Sequence, residues 1–533
     1  MTRAAIEGSS HDLPGQPAAA RPGGGPAWRP PAGLIITVAA ALALVLRIYR
    51  LTHPGLLVVS QYDDGPYFGS AVRLIHGALP YRDFVLVQPP GITLVMSPAA
   101  LLSDVTGTAW AMVTGRLLTA AAGAAAVVLI GLLVRHRGLL AVAVACGIAA
   151  IYPTSVAAAH TILLEPWLVL ACLAGAVAVF DRDQLTASTR RLAWGGAAFG
   201  FAGAIKAWAI VPVIVLLVLC LPQIRRAVIF AAGVAAGFLV PVLPFAALAP
   251  RRFFVGVISA QLNRGGARTP VVHRIADMIG VSYTTPTAVL LLSVVVIIAF
   301  VAVADMVSWR RTRQPLPALD RFALAGAVLV VVMLLWPPYY AAHYTAFFMP
   351  FLALSLALAV SRLAASDMLA ADRPAVRRRL GLLTAGITTA AVLAGAVSMS
   401  VNLSPVKHGD GAGIRSVIPA GACVVTDQAS YLLLANRFVS SQPGCPAMVD
   451  GLGTDLVLSG GRSPANGAAR FPAVRAAWQQ AFSHAQYLLL SHKNTLRVAW
   501  TPALQTYFRT HFRRVLIGRK YQIYARRLHP RAS

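Results

Sequence analysis

The sequence predicts a polytopic α-helical membrane protein with about eleven transmembrane helices and a small C-terminal α/β domain. Three observations carry this. The 533 residues are 57% hydrophobic and only 12% charged, against about 25% charged in soluble proteins. Apolar runs recur at 34–51, 109–134, 138–152, 161–180, 191–205, 208–222, 227–249, 286–306, 322–337, 344–361 and 380–401. Basic residues fall in every second connection between them, as cytoplasmic loops require. This composition excludes a soluble globular protein, a disordered chain and a fibrous one.

Taken in order, residues 1–33 are Pro/Gly-rich and read as a disordered cytoplasmic tail, without the pattern of a cleaved signal peptide. With that tail inside, the cytoplasmic connections are Arg135–Arg137, Arg182–Arg191, Arg225–Arg226, Arg310–Arg321 and Arg362–Arg379. The connections at 153–160, near 207 and at 338–343 are almost uncharged. Several runs are shorter than the roughly 20 residues of a straight crossing. The stretch 91–103 is apolar, short and flanked by proline, and reads as interfacial or re-entrant. Residues 34–402 thus form the membrane domain, with an external loop at 52–108. An odd number of crossings leaves 403–533 outside the plasma membrane.

In 403–533, "GACVVTD" and "AQYLLLS" read as buried strands, "FPAVRAAWQQAF" and "PALQTYFRTHF" as helices, and "RRVLIGRKYQIYARR" as a terminal hairpin. Cys423 and Cys445 lie there. In an oxidising compartment they are either a disulfide or two buried thiols.

The net charge of +28 would suggest nucleic acid if it were clustered. It is not. With Asp181 and Asp305 counted in the cytoplasmic loops they adjoin, the cytoplasmic segments carry +11, residues 403–533 carry +12, and the remainder only +5. That remainder holds six acidic residues, Asp63, Asp64, Asp83, Asp104, Glu165 and Asp277, all placed at the external face.

Five groups there are candidates for chemistry. Tyr62-Asp63-Asp64-Gly65 follows the first run. Adjacent carboxylates repel, which suits a general base or a metal site, while the plainer reading is the N-cap of the helix that follows. His160 and Glu165 stand at the outer start of the fourth span. A carboxylate there is costly unless it faces protein or water, and the plainer reading is a pair hydrated by headgroups. Lys206 is the only lysine before residue 407; an ammonium at membrane depth suits a phosphate, or it snorkels to the interface. The external loop 250–285 breaks the charge pattern with Arg251, Arg252, Gln261, Arg264, Arg268 and Arg274 against the single acid Asp277. Arginine forks hold phosphate, or attract anionic headgroups. In "WPPYYAAHYTAFFMP", Tyr339, Tyr340 and Tyr344 suit an aromatic belt, whereas His343 enters the next span ahead of Pro350. Asp63, Glu165 and His160 are also a candidate set for a divalent metal ion, the one cofactor considered. The sequence holds no phosphate-binding P-loop and no His-Glu-x-x-His motif.

The stretches "YDDGPYFGSAVRLIHGALPYRDFVLVQPPG" (62–91), "HTILLEPWLVL" (160–170), "GFAGAIKAWA" (200–209) and "HYTAFFMPFLAL" (343–354) resemble the GT-C superfamily. The likeness is to the protein O-mannosyltransferase and aminoarabinose transferase-like branch of these lipid-phosphate-sugar-dependent membrane glycosyltransferases. The resemblance covers most of 34–361, and the first stretch is its most specific part. It implies Asp63 or Asp64 as catalytic base and Glu165 as a second acidic residue. It implies that Lys206 contacts the lipid phosphate and matches a His-Tyr pair to His343 and Tyr344; with Arg264 and Arg268 of the basic loop, these are expected to hold the donor phosphate. The expected partners are a polyprenyl-phosphate sugar donor, an envelope glycan, lipid or protein acceptor, and the bilayer, with no nucleic acid. The competing class is a transporter or lipid flippase for an anionic substrate. Such a protein favours charges near the midplane and internal repeats; no repeat is visible here, and the candidate charges lie at one face.

Overall fold

The computed structural model describes residues 30–265, 268–364, 409, 411–461 and 467–528. Ten of the eleven apolar runs coincide with helices: Pro30–Thr52, Ser103–Val134, Leu139–Ile151, Glu165–Val179, Thr189–Ile205, Ile210–Cys220, Ile224–Leu248, Thr287–Thr312, Ala318–Leu335 and Met349–Ala364. The eleventh, 380–401, and the tail 1–29 lie outside the described residues.

Helix length bears on the predicted crossings. Among the described residues, five helices are long and apolar enough to cross a membrane: Ala32–Thr52, Ser103–Arg137, Ile224–Leu248, Thr287–Thr312 and Ala318–Leu335. A sixth candidate is the pair Leu139–Ile151 and Pro153–Ala159, bent by 54°. Gly91–Leu101, Glu165–Val179, Ala207–Cys220 and Met349–Ala364 are apolar but shorter. Periodicity locates these helices well, while loops and turns take residues from the ends of the apolar runs.

The tightest helix pair is Thr189–Ile205 against Ile224–Leu248. Each carries glycines four apart, Gly196 and Gly200 on one, Gly233 and Gly237 on the other. A Cβ at Gly200 would run into the carbonyl oxygen of Val234, and one at Gly237 into that of Ala197. The backbones touch, as small residues permit in membranes. This pairing fixes the helix that ends at Lys206.

Beyond a break at Gly107, residues 108–134 of the long helix Ser103–Val134 set its two ends about 40 Å apart, at 1.5 Å per residue. At its start Gly107 has φ 78°, and a Cβ there would lie 2.8 Å from the Asn436 side-chain amide. The Asn436 Oδ1 accepts the Ala109 N–H at 2.8 Å, and Thr108 donates to the Leu433 carbonyl at 2.5 Å. The C-terminal part is thus docked on this end. At the other end, Arg137 pairs with Asp183 at 2.7 Å and Asp320 at 2.8 Å, and Arg362 pairs with Asp320 and Asp305. Four connections read from sequence as basic loops are therefore joined through these ion pairs.

In the C-terminal part the expected elements form. Strands β1 (Phe180–Asp181) and β2 (Gln184–Leu185) make a small hairpin in the membrane part. Strands β3 (Val424–Thr426), β4 (Tyr487–Ser491), β5 (Phe512–Ile517) and β6 (Tyr521–Arg526) form a sheet of order β3-β4-β6-β5. β3 and β4 run parallel, and β4 with β6 and β5 with β6 antiparallel. The helices Pro472–His484 and Pro502–His511 supply Trp478, Phe482 and Leu504 to the core beneath it. Cys423 and Cys445 form a disulfide with Cα atoms 5.5 Å apart.

Candidate functional site

A cavity of about 670 Å³ opens between the two parts. The membrane part contributes Tyr62, Asp63, Tyr67, Gln88, Arg264, Tyr339 and His343. The C-terminal part contributes Asp450, Asp455, Arg497 and Trp500.

The adjacent carboxylates Asp63 and Asp64, equivalent in the sequence, have different fates. The helix Asp64–Ile75 begins where the pattern predicts, but no side chain caps it. Asp64 is fully buried. Its carboxylate receives Arg116 at 2.6 Å, Thr161 at 2.9 Å and Ser430 at 2.7 Å. Its oxygens are committed to these donors, and Asp64 does not line the cavity. Asp63 is half-buried and lines the cavity. Of the six carboxylates outside the basic loops, five have a partner. Asp64 has Arg116, Asp83 has Arg82, Asp104 has His76, Glu165 has Lys206, and Asp277 accepts from Tyr283 and Tyr340. Asp63 alone has no hydrogen bond to its carboxylate among the described residues.

Lys206 sits where the helix Thr189–Ile205 stops; its extended backbone (φ −152°, ψ 130°) turns the chain into Ala207–Ala209. Its ammonium lies 2.5 Å from Glu165 Oε1, 3.4 Å from the Trp208 ring centre and 4.2 Å from that of Tyr344. Glu165 opens the helix Glu165–Val179, followed by Pro166; its Oε2 is buried without a partner. Both residues lie behind the cavity rather than on its wall. The charges of Asp63 and Arg264 nevertheless act on Lys206. His343 and Tyr344 stand in the single-turn segment Ala342–Phe347, with His343 on the cavity wall. The Arg264 guanidinium stacks on Tyr339 at 3.9 Å.

The loop 250–285 divides. Arg264 reaches the cavity, and the exposed Arg268 does not line it. Arg274 is fully buried and donates to the carbonyls of Leu334, Leu335, Pro337 and Pro338. It is a brace under Tyr339 and Tyr340, not an anion site, because those carbonyls occupy its donors. Gln261 donates to the Val87 carbonyl and Arg252 to that of Arg82.

The three residues of the candidate metal set have separate surroundings. His160 Nδ1 lies 2.7 Å from the Ala157 carbonyl, Glu165 pairs with Lys206, and Asp63 stands in the cavity. No three His, Cys, Asp or Glu side chains among the described residues are gathered as a metal would require.

Sequence reasoning misses Arg116 and the whole C-terminal wall. Arg116 carries a signal, a lone charge inside an apolar run. The wall carries none. On it, burial raises the Asp450 carboxyl above its ordinary range, and the nearby Asp63 adds to this. Burial pushes Asp455 up from 3.8 to about 7, opposed by a hydrogen bond from Trp478 Nε1 at 2.6 Å. The folded protein therefore holds more protons than the unfolded chain between these values, and stability falls as pH rises through that window. Asp455→Asn keeps an acceptor for Trp478 and cannot ionise. It is expected to raise the thermal midpoint in detergent at pH 8.5 and to leave it unchanged near pH 4. An equal gain at both pH values would exclude titration as the cause.

Residues 87–338 match the model of glycosyltransferase family 87. No curated protein matches the chain in sequence. Among solved structures, ArnT from Cupriavidus metallidurans bound to undecaprenyl phosphate superposes with a TM-score of 0.57 at 16% identity, covering 94% of this chain and 98% of that one. Apo ArnT gives 0.58 at 15% identity, covering 93% and 98%. A more distant likeness is to the Archaeoglobus fulgidus oligosaccharyltransferase, with a TM-score of 0.48 at 13% identity, covering 92% and 73%. At the level of fold the chain is similar to ArnT, in line with the resemblance read from sequence, and its apolar helices fit a polytopic helical membrane protein.

Proposed function

We propose that this GT-C-type membrane glycosyltransferase moves a sugar from a polyprenyl-phosphate donor to an acceptor hydroxyl at the outer face of the plasma membrane. One observation carries the reading: Asp63, a cavity-lining carboxylate without a hydrogen-bond partner among the described residues, faces the same cavity as Arg264 and His343, with Lys206 behind them. A free carboxylate takes a proton from an attacking hydroxyl. Fixed cations stabilise a departing phosphate. The geometry thus supports Asp63 as base, with Arg264, Lys206, His343 and Tyr344 around the donor phosphate. Glu165 holds Lys206 in place, and Arg268 is left as an outer attraction for the anionic donor. That ArnT was solved with undecaprenyl phosphate supports the donor class.

The orientation is part of the proposal. It rests on the basic connections gathered at the Arg137 end of the long helix, while the cavity lies at the Gly107 end. Residues 403–533 then form an outer domain and the tail 1–33 is cytoplasmic. The eleventh crossing, 380–401, would join the two. Incorporation of sugar from a polyprenyl-phosphate donor by purified protein tests the reading; wild type that transfers nothing across glycan, lipid and protein acceptors would refute it.

A further inference from the structure

The residues flanking Asp63 are held from the C-terminal part as well as, for Asp64, from Arg116 and Thr161 of the membrane part. Tyr62 donates to Asp450 Oδ1 at 2.7 Å and accepts from the Leu452 N–H at 3.2 Å. Its ring lies 4.2 Å beneath the Arg497 guanidinium, which is fixed by Gln428 at 2.7 Å. On the other side, Ser430 donates to Asp64 Oδ1 at 2.7 Å and contacts the Gln61 carbonyl at 3.4 Å. Residues 61, 62 and 64 are thus each tied by groups between 430 and 452, and Asp63 between them is left free. A base must be held to well under 1 Å to act, since such a displacement costs on the order of 10²-fold in rate.

We propose that Asp450 and Ser430 are positioning residues, which hold the Asp63 carboxylate at its working angle through Tyr62 and Asp64. The proposal rests on the reading of Asp63 as base.

The bonds supply a sharp test. Asp450 Oδ1 accepts both from Tyr62 and from the Gly453 N–H, at 2.7 and 2.8 Å. Asparagine has one such oxygen and caps helices as well as aspartate does. In full-length protein, Tyr62→Phe and Asp450→Ala are each expected to lower kcat about tenfold with donor KM unchanged, and the double variant to be no worse than either, because they break one bond. Asp450→Asn is expected to keep near wild-type kcat. If Asp450→Asn is as slow as Asp450→Ala, the charge of Asp450 acts directly and the positioning role is wrong. If Tyr62→Phe turns over like wild type, or the two losses multiply, the clamp does not exist. Retained binding of polyprenyl phosphate by each variant reports folding. A wild type that transfers no sugar refutes the enzyme reading instead, and full activity of Asp63→Asn refutes the base.

Discussion

Asp63→Asn is expected to lower kcat about 10³-fold, within the range typical of a lost general base, while polyprenyl-phosphate affinity and the thermal midpoint stay close to wild type. The carboxylate faces the cavity without a hydrogen-bond partner among the described residues, so an amide of the same shape disturbs no packing there. Asp64→Asn is expected to do the reverse. Asp64 is fully buried against Arg116, and removing one member of a buried pair costs about 3–5 kcal/mol because the other is left charged and alone. Asparagine keeps a single oxygen, so it cannot accept both from Ser430 on one side and from Thr161 and Arg116 on the other, and Arg116 loses its counter-charge in either orientation. The variant should unfold at lower temperature, and whatever remains folded should turn over at a rate much nearer wild type than Asp63→Asn. Detergent melting and single-turnover sugar transfer separate the two. Equal loss of turnover at unchanged stability in both variants would overturn the division of roles.

That division shows where the sequence stops being informative. Helix positions, the strand pair "GACVVTD" and "AQYLLLS", and the terminal hairpin all follow from local periodicity, which is written within a dozen residues. So does the choice of Lys206 and Glu165, because a charge in an apolar run must be explained wherever it points. Asp63 and Asp64 cannot be told apart in this way. Successive residues entering a helix point about 100° apart, and which one is buried is decided by Arg116, Thr161 and Ser430, distant in the chain. Arg274 misleads for the same reason: four carbonyls of Leu334–Pro338 absorb its donors, and backbone acceptors leave no mark in a sequence. The wall of Asp450, Asp455 and Arg497 is invisible until the C-terminal part docks through Asn436 and Leu433.

Lys206 is expected to separate binding from stability when its partner is changed with it. Lys206→Met leaves Glu165 as a buried carboxylate whose Oε2 already lacks a partner, so this variant should be strongly destabilised, by the same logic of an uncompensated buried charge. Lys206→Met combined with Glu165→Gln removes both charges, and replacing a buried pair with neutral groups of similar size is often tolerated. The double variant should therefore recover most of the thermal midpoint. Donor affinity should not recover. A charge-assisted hydrogen bond contributes about 1.5–3 kcal/mol, so the apparent Kd for polyprenyl phosphate should rise about 10- to 100-fold, at about 1.4 kcal/mol per factor of ten. The aromatic walls Trp208 and Tyr344, at 3.4 and 4.2 Å from the ammonium, remain in place and supply no replacement charge. Restoration of wild-type donor affinity in the double variant would mean that Lys206 serves only to neutralise Glu165. The phosphate would then have to be held by Arg264 and His343 alone.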